Sequence, residues 1–433
     1  MKTLERKQLA QLLEWKESKN RKPLVIKGAR QVGKTWLMKE FAHKYYKNYV
    51  YYNFDEEIAL ASIFQENKNP QRIIELLALL SGEKILPGET MIILDEIQEC
   101  PAALNALKYF KENANEYHIV VAGSLLGTLL AKPHSYPVGM VNILEMGPMD
   151  FAEFLAACDP VLYNFYQQIT KDTKIENVFH ERLLEAYRSY LIIGGMPEAV
   201  MAWCEEKDAK KVQLIHKELV QLYENDFSKY NGKINSDRIL LIFRSIVSQL
   251  AKENEKFVYG VVKTGARARE FETAIEWLVS AGMVLRVNNV SKAEHPLPVF
   301  AKLDAFKLYL FDIGILKFMS GTDNKAIILD EDFQFKGALA ENFVLQQLQG
   351  KFNVAPFYFA SERSEIDFIL QNGTQIIPVE VKAGINKNAK SFKQYIEKYN
   401  PVCALRFSQR NYVKDGSITN IPLYLAPKIT ELL

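Results

Sequence analysis

Glycines, a lysine and a threonine at residues 28–35 follow a short apolar strand that is predicted at residues 24–27. The chain there runs Gly28-Ala29-Arg30-Gln31-Val32-Gly33-Lys34-Thr35, with the spacing G-x-x-x-x-G-K-T, and continues in a helical pattern. Strand, glycine loop and helix N-terminus form a P-loop, which cradles nucleotide phosphates with backbone N–H groups. Lys34 is expected to reach the β- and γ-phosphates, and the Thr35 hydroxyl to ligate Mg²⁺. The sequence therefore predicts a nucleoside triphosphate site.

Two acids, Asp95 and Glu96, end the apolar run 91–94. This pattern predicts a buried parallel strand whose carboxyl end lies at the ligand crevice. Asp95 would hold Mg²⁺ through water, and Glu96 would polarise the attacking water. Ser124 ends a further apolar strand, either as an ordinary turn residue or as a group that senses the γ-phosphate.

Composition indicates a soluble globular protein of two to four domains. The chain has 433 residues, of which 48% are hydrophobic and 24% charged. It contains no apolar run long enough to span a bilayer and no signal-peptide pattern, so a cytoplasmic protein without membrane contact is expected. Four scattered cysteines favour reduced thiols over a disulfide framework or a zinc site.

The net charge of +2 is unevenly distributed. Residues 1–50 carry 13 Lys and Arg against 4 Asp and Glu, and residues 381–433 carry 9 against 3. Such asymmetry is typical of a polyanion-binding surface, but a nucleotide site and a solvated basic face would produce it equally.

The elements that must position these groups alternate between strand and helix from residue 20 to 150. Strands are predicted at 24–27, 49–54, 91–94, 118–122 and 141–144, which indicates a mostly parallel sheet covered on both faces. An additional strand separates the P-loop from Asp95 in sequence, and Glu96 is present. Both features favour the branch of P-loop ATPases that has an additional catalytic strand.

Helices alone are predicted from about residue 150 to 230, as a lid on the nucleotide. Gly194-Gly195-Met196-Pro197 interrupts them, either as a plain helix–helix turn or as a turn that places Pro197 near the adenine. Helices at 236–253 and 257–263, a third helix to 280 and a strand at 283–287 then predict a winged helix. Such a module docks on DNA or on protein, and residues 323–332 are a plausible linker.

A second group of chemically active residues lies at 336–425. Glu341 is on a predicted helix, 336–350, and strands at 353–360, 366–370 and 376–382 follow, the last two joined by Asn372-Gly373. A basic helix at 387–399 and a strand at 402–407 complete a pattern typical of a PD-(D/E)XK nuclease core. Asp367 and Glu380 would hold Mg²⁺, Glu341 would join through water, and Lys382 would orient the attacking water. The alternatives are a salt-bridged hairpin or an inherited nuclease fold that no longer cuts.

The whole chain resembles a bacterial and archaeal ATPase family that joins an AAA-type domain to a C-terminal domain of PD-(D/E)XK nuclease-like fold. The matching stretches are residues 28–35, Leu94-Asp95-Glu96-Ile97-Gln98, Ala122-Gly123-Ser124, Gly194-Gly195-Met196-Pro197-Glu198, Leu308-Tyr309-Leu310-Phe311-Asp312-Ile313-Gly314, Glu341-Asn342-Phe343-Val344, Glu365-Ile366-Asp367-Phe368 and Val379-Glu380-Val381-Lys382. The resemblance implies ATP as the nucleotide and a Gly-Gly-x-Pro turn similar to the nucleotide sensor of signalling ATPases. One departure is Gly139-Met140, where members carry Gly-Arg, so Arg30 or an arginine of a neighbouring subunit would act as arginine finger.

The sequence thus predicts an α/β protein: a P-loop ASCE/AAA-type core at 1–149, a helical lid at 150–232, a winged helix at 233–322 and a nuclease-like α/β domain at 323–433. The expected function is a Mg²⁺-dependent ATPase that acts as a switch on nucleic acid, DNA being the first expectation, with metal-dependent cleavage left open. The alternative is a signalling or scaffold ATPase whose C-terminal domains only bind a partner. A homo-oligomer is compatible with either function.

Overall fold

Two compact units make up the chain in the computed structural model, which describes residues 4–124, 126, 139–252, 256–361, 364–385 and 390–433. The N-terminal unit contains Glu5–Gly147 and the separate segment Trp277–Met283. The C-terminal unit contains Leu4, Pro148–Glu276 and Val284–Leu433. The finer division into lid, winged helix and nuclease-like domain stays a prediction.

A five-stranded parallel sheet forms the centre of the N-terminal unit, in the order β2-β3-β4-β1-β5. The strands are β1 Leu24–Lys27, β2 Asn48–Asn53, β3 Thr90–Asp95, β4 His118–Gly123 and β5 Asn142–Glu145. Strand β4 lies between the P-loop strand β1 and the acidic strand β3, whereas β2, the strand that separates them in sequence, lies at the sheet edge beside β3. The predicted parallel α/β sheet is confirmed, with strand ends shifted by one residue at β2 and β5.

Helices cover this sheet because their apolar stripes face the buried strands. They are Gln8–Glu17, Lys34–Tyr45, Ala61–Glu66, Pro70–Ser81 and Pro101–Asn113. Every residue of β3 and β4 is buried, which is typical of central parallel strands with both faces covered. The sheet therefore holds the strand ends rigidly at one edge.

The C-terminal unit begins with helices, as predicted for residues after 150. They are Phe151–Cys158, Pro160–Gln167, Asn177–Ile193, Pro197–Glu206 and the long helical run Ala209–Ala251. Within that run, both Nε and Nη2 of Arg244 lie 2.8 Å from the Glu224 carboxylate. A straight helix would separate residues 20 positions apart by about 30 Å, so the chain must reverse direction between Glu224 and Arg244. The predicted boundary at 232/233 falls within this reversal.

The region predicted as a winged helix contributes strands to a larger sheet. Short helix Tyr259–Val262 and helix Ala268–Ser280 precede β6 (Val284–Val290), which pairs antiparallel with β7 (Ala301–Leu310). Strand β6 also pairs with a later strand, so this hairpin is no separate wing layer. The winged-helix interpretation stays a prediction.

An eight-stranded mixed sheet runs through the C-terminal unit in the order β12-β13-β11-β10-β9-β8-β6-β7. The remaining strands are β8 Phe357–Ser361, β9 Ser364–Asn372, β10 Gln375–Val381, β11 Ala404–Ser408, β12 Val413–Asp415 and β13 Ile418–Pro422. The helices are Ile313–Ser320, Asn324–Ile328, Lys336–Leu348, Lys390–Tyr399 and Ile429–Leu432. The predicted order helix, three strands, helix, strand is present, but residues 387–389 of the predicted basic helix lie outside the described residues.

The predicted linker at 323–332 was wrong. Residues Asn324–Ile328 form a helix, Ile327 is buried, and the Asp330 carboxylate pairs with Lys336 at 2.9 Å. Residues 323–332 have an acidic sequence typical of a loop, yet they belong to the compact C-terminal unit, where ion pairs and packing with distant residues hold them.

The expectation of unpaired cysteines was also wrong for two of the four. Cys158 and Cys204 form a disulfide, with their Cα atoms 5.0 Å apart. They are 46 residues apart in sequence, and only the packing of helix Phe151–Cys158 against helix Pro197–Glu206 brings them together. Cys100 and Cys403 are free.

No helix among the described residues combines the length and the hydropathy needed to cross a bilayer.

The glycine turn 194–195 packs directly against residues 312–314. A Cβ on Gly195 would overlap the Met149 carbonyl oxygen, and one on Gly194, at φ 71°, would overlap the Asp312 carboxylate. The fully buried Asp312 accepts hydrogen bonds from Gly195 N–H at 2.7 Å and from Ile315 N–H at 3.0 Å. Burial raises the pKa of Asp312 to about 6, although these backbone donors oppose the rise. The turn therefore has a structural role whatever the position of Pro197.

Replacing Asp312 by asparagine is expected to lower the free energy of unfolding by about 1–3 kcal/mol, because an amide offers one acceptor oxygen and leaves one buried N–H unpaired. Urea unfolding measures the change. Asp304→Asn, at an exposed position of β7, is the matched control. Equal stabilities of the two variants would contradict this account.

Candidate functional site

The P-loop backbone is shaped for close approach to an anion. A Cβ on Gly28 would overlap the Met146 carbonyl oxygen, and Gly33 has φ 94° at the N-cap of helix Lys34–Tyr45. Gln31 also has positive φ, 66°, which is uncommon for a residue with a side chain. Helix Lys34–Tyr45 starts directly after the loop, so its first N–H groups face the site.

Lys34 is buried inside this loop. Its Nζ donates to the carbonyl oxygens of Gly28 at 3.0 Å and Ala29 at 2.8 Å. Burial lowers the pKa of Lys34 to about 8, an effect that Glu96 and Asp95 oppose. An anionic phosphate beside the ammonium would favour its charged form, so this lysine is suited to a phosphate ligand.

Thr35 and Asp95 meet although they are 60 residues apart. The Thr35 hydroxyl donates to Asp95 Oδ2 at 2.6 Å, and the Tyr51 hydroxyl donates to the same oxygen at 3.1 Å. Hydroxyl and carboxylate oxygens are ligands that Mg²⁺ accepts together with water and substrate phosphates. Thr35 and Asp95 therefore fit the predicted Mg²⁺ site, and Tyr51 is a partner that sequence reasoning missed.

Glu96 has a left-handed backbone, with φ 49°. Its carboxylate accepts a hydrogen bond from Gln98 Nε2, and its N–H donates to Asp95 Oδ1 at 3.0 Å. A non-glycine residue in this region of φ/ψ space costs energy and is typical of functional sites. The sequence indicated Gln98 only as a member of the motif at 94–98. In the structure its amide donates a hydrogen bond to the Glu96 carboxylate.

Ser124 lies directly after β4, the strand between β1 and β3, and is buried. The carboxyl ends of parallel strands β1, β3 and β4 share one edge of the sheet. Ser124 therefore lies at the same edge as Gly28, which follows β1, and Glu96, which follows β3. Its role as sensor stays a prediction. Pro197 belongs to the C-terminal unit, where it begins helix Pro197–Glu206, and its predicted place near the adenine also stays a prediction.

Arg6 is a positioning residue that the sequence did not reveal. The guanidinium is buried and donates to Val32 O at 2.6 Å and to Gly147 O at 2.7 Å. It thereby fastens the P-loop carbonyl to the chain that follows β5. Sequence reasoning counted Arg6 only within the basic excess of residues 1–50.

A distant segment also approaches the P-loop. Gly282, with φ 71°, belongs to the segment Trp277–Met283 of the N-terminal unit, and a Cβ placed on it would lie 3.5 Å from Ala29 N. Nothing in the sequence pattern of residues 277–283 signals this contact, since it depends on tertiary packing alone.

The C-terminal unit holds a second candidate site, a cavity of about 410 Å³ that we name the carboxylate pocket. Its charged lining residues include Lys307, Glu341, Glu365, Asp367, Glu380 and Lys382. Strands β9 and β10 pair antiparallel up to Phe368 and Val379, which places Asp367 and Glu380 one step beyond on adjacent strands. The structure therefore brings together the four residues that the sequence singled out here.

Protein donors already engage these carboxylates. Glu380 pairs with Lys382 at 2.6 Å, Asp367 Oδ2 accepts from Val381 N–H at 2.7 Å, and Glu341 Oε2 accepts from Tyr309 at 3.0 Å. Lys307, which sequence reasoning missed, pairs with Glu365 at 2.5 Å.

Burial and mutual repulsion raise the pKa values of this cluster. Burial, followed by the charge of Asp367, raises the pKa of Glu341 to about 7 and that of Glu380 to about 8. Burial also raises the pKa of Asp367. Burial alone would lower the pKa of Lys382, but Glu380 and Asp367 raise it overall.

The donor set suits a divalent cation, but its arrangement does not form a complete metal site. Across the part of the chain that the structure describes, no three His, Cys, Asp or Glu side chains are placed to hold one ion together. The ion pair between Glu380 and Lys382 and the bond between Tyr309 and Glu341 occupy oxygens that a metal would need. Metal binding by Glu341, Asp367 and Glu380 stays a prediction.

Comparison with known proteins identifies the N-terminal region. Residues 20–155 match a family described as "AAA domain", residues 184–326 a domain of unknown function (DUF8612) and residues 336–425 a domain of unknown function (DUF4143). Residues 20–155 are therefore similar to AAA domains, and this stretch contains the P-loop and the Asp95–Glu96 pair. All five strands of the parallel sheet β2-β3-β4-β1-β5 lie within the matched residues 20–155.

Relatives over most of the chain are distant. The uncharacterized protein MJ1544 of Methanocaldococcus jannaschii is 23% identical over 362 residues, which cover 80% of this chain and 71% of that protein. The Walker-type ATPase PABY2304 of Pyrococcus abyssi is 14% identical, with a TM-score of 0.46 over 73% of this chain and 96% of that one. The Orc1 protein of Aeropyrum pernix, solved in complex with DNA, is 14% identical, with a TM-score of 0.27 over 74% and 92%.

The raised pKa of Glu380 predicts a pH dependence of stability. Its folded-state pKa, about 8, exceeds the ordinary 4.5, so the folded protein retains a proton that the unfolded chain releases. The contribution of Glu380 to the free energy of unfolding should therefore fall as pH rises from about 4.5 to about 8 and change little outside that window. In Glu380→Gln, urea unfolding at pH 5 to 9 should show a smaller decline.

Glu331→Gln, which removes the same charge at an exposed position, is the control and should keep the full decline. Identical pH profiles of the two variants would refute the assigned pKa shift.

Proposed function

We propose that this chain binds ATP with Mg²⁺ at the P-loop and hydrolyses it. One observation carries the proposal: the Thr35 hydroxyl and the Asp95 carboxylate lie 2.6 Å apart beside the buried Lys34. Lys34 would bind the β- and γ-phosphates, and the bound cation would neutralise the charge that develops on them. Glu96, held by Gln98, would accept a proton from the attacking water.

Lys34→Ala is expected to abolish ATP binding, because no other buried ammonium faces the loop among the described residues. Glu96→Gln should bind ATP normally and turn over about 10²–10⁴-fold more slowly, since the amide cannot accept the proton. Titration with fluorescent ATP and phosphate release measure the two steps.

Glu99→Gln is the matched control, because Glu99 has an exposed side chain and ends the short helical turn Ile97–Glu99, which begins directly after Glu96. Turnover of Glu96→Gln equal to that of the wild type would remove Glu96 from the mechanism.

For the C-terminal unit we propose action on nucleic acid, with the nucleotide state of the P-loop as the switch. Support comes from Asp367, Glu380 and Lys382, which line one pocket with raised pKa values, as groups that exchange protons with a ligand often do. Phosphodiester cleavage at this pocket is the finer proposal, and it requires the ion pair between Glu380 and Lys382 to open.

A second candidate function is a module that binds a nucleic-acid or protein partner without cutting it. The observation that favours it is that a protein donor already engages one oxygen of each of Glu341, Asp367 and Glu380. Salt dependence separates the two kinds of partner, because nucleic-acid affinity falls steeply with salt and a mainly apolar protein interface changes little.

The cleavage proposal predicts that labelled single- or double-stranded DNA or RNA is cut in Mg²⁺ or Mn²⁺ and that Asp367→Ala abolishes cutting. Reactions with and without ATP test the switch. Asp304→Asn, outside the pocket, should cut normally. If no substrate is cut under any condition but salt-sensitive binding persists, the binding module is the correct function.

A further inference from the structure

A second open cavity, of about 630 Å³, lies in the C-terminal unit away from the carboxylate pocket; we name it the arginine pocket. One face of helix Asn177–Ile193 lines it with His180, Leu184 and Arg188, four residues apart. The chain that follows β11 lines the opposite side with residues 409–411. No residue of this pocket was singled out from the sequence.

Two guanidinium groups in the arginine pocket have N–H donors without acceptors. Nε of Arg188 and Nη1 of Arg410 are buried, and neither has a hydrogen-bond partner within the described ranges. Nη2 of Arg188 has only long contacts, 3.5 Å to Gln409 Oε1 and 4.0 Å to Asp330 Oδ2. Buried N–H groups nearly always have partners, so the protein leaves the hydrogen-bonding capacity of both guanidinium groups only partly used.

Neighbouring residues hold this edge in place. His180 binds the Tyr424 hydroxyl at 2.7 Å and the Gln409 carbonyl at 3.0 Å, and burial lowers the pKa of His180, which keeps the ring neutral. Gln409 Nε2 donates to Asp330 at 2.7 Å and to Ala383 O at 2.8 Å. The arginine pocket is thus supported by hydrogen bonds to three separate parts of the chain.

Asp330 is held in an unusual conformation at this site. Its φ is 55°, in the left-handed region, and its carboxylate is neutralised by Lys336 at 2.9 Å. Backbone strain of this kind concentrates at ligand-binding and switch regions. Because Lys336 compensates Asp330, Arg188 retains its positive charge for another partner.

We infer that Arg188 and Arg410 bind the phosphate group of a small organic phosphate about the size of a mononucleotide. The planar fork of N–H donors at the end of an arginine side chain matches two oxygens of a phosphate or carboxylate. The cavity volume lies in the range of small-molecule sites, and Asn177 and Asn411 add polar groups at its wall. The exposed Glu181 at the pocket would repel a long polyanion, which disfavours a nucleic-acid strand.

Calorimetric titration of the full chain with inorganic phosphate and with AMP tests the inference. The Lys34→Ala background removes phosphate binding at the P-loop, and chloride at matched ionic strength controls for salt. Both probes should bind, and Arg188→Gln or Arg410→Gln should weaken the affinity about tenfold or more, because charge-assisted hydrogen bonds are lost.

Matched variants separate the site from general charge and from misfolding. Arg188→Lys keeps the charge but loses the planar edge, so it should also bind weakly while its thermal unfolding stays near that of the parent. Arg182→Gln, on the same helix but paired with Asp159 at 2.9 Å, should bind like the parent. Undiminished binding in Arg188→Lys, or no binding of phosphate and AMP by the parent, would overturn the inference. Binding of oligonucleotides alone would overturn it in favour of a nucleic-acid surface.

Discussion

The hydrogen bond between Thr35 and Asp95 depends on the order of the parallel strands. Strand β4 separates β1 from β3, and all three run in the same direction, so the P-loop and the acidic strand end at the same sheet edge. Helix Lys34–Tyr45 starts at that edge, which puts the Thr35 hydroxyl within 2.6 Å of the Asp95 carboxylate. Three surrounding side chains fix these groups: Arg6 binds the Val32 carbonyl, Tyr51 binds the Asp95 carboxylate and Gln98 binds the Glu96 carboxylate.

Close backbone approach is the corresponding constraint in the C-terminal unit. Gly194 passes so near to Asp312 and Gly314, and Gly195 so near to Met149, that no side chain fits at either glycine. The buried Asp312 caps the helix Ile313–Ser320 and also accepts a hydrogen bond from the glycine turn. These contacts account for the two glycines of the motif at 194–198 and for Asp312 and Gly314 of the motif at 308–314.

Charge burial differs between the two candidate sites. The P-loop contains the buried ammonium of Lys34, whose pKa burial lowers. An anion beside this ammonium would favour its charged form. The carboxylate pocket holds several carboxylates with raised pKa values, as befits a site that takes up a proton or a cation. Because the buried charges have opposite signs, the two sites suit ligands of opposite charge.

The sequence by itself determined local chemistry and order. Spacing was sufficient for the P-loop, for Asp95 and Glu96 at a strand end, and for Asp367, Glu380 and Lys382 on a hairpin, because loop, strand and turn geometry are local properties. Tertiary structure decided the rest: the Cys158–Cys204 disulfide, the chain reversal between Glu224 and Arg244, the buried bonds of Arg6, and the donors that engage each carboxylate. These features join residues far apart in the chain, and no periodicity or spacing encodes which distant groups meet.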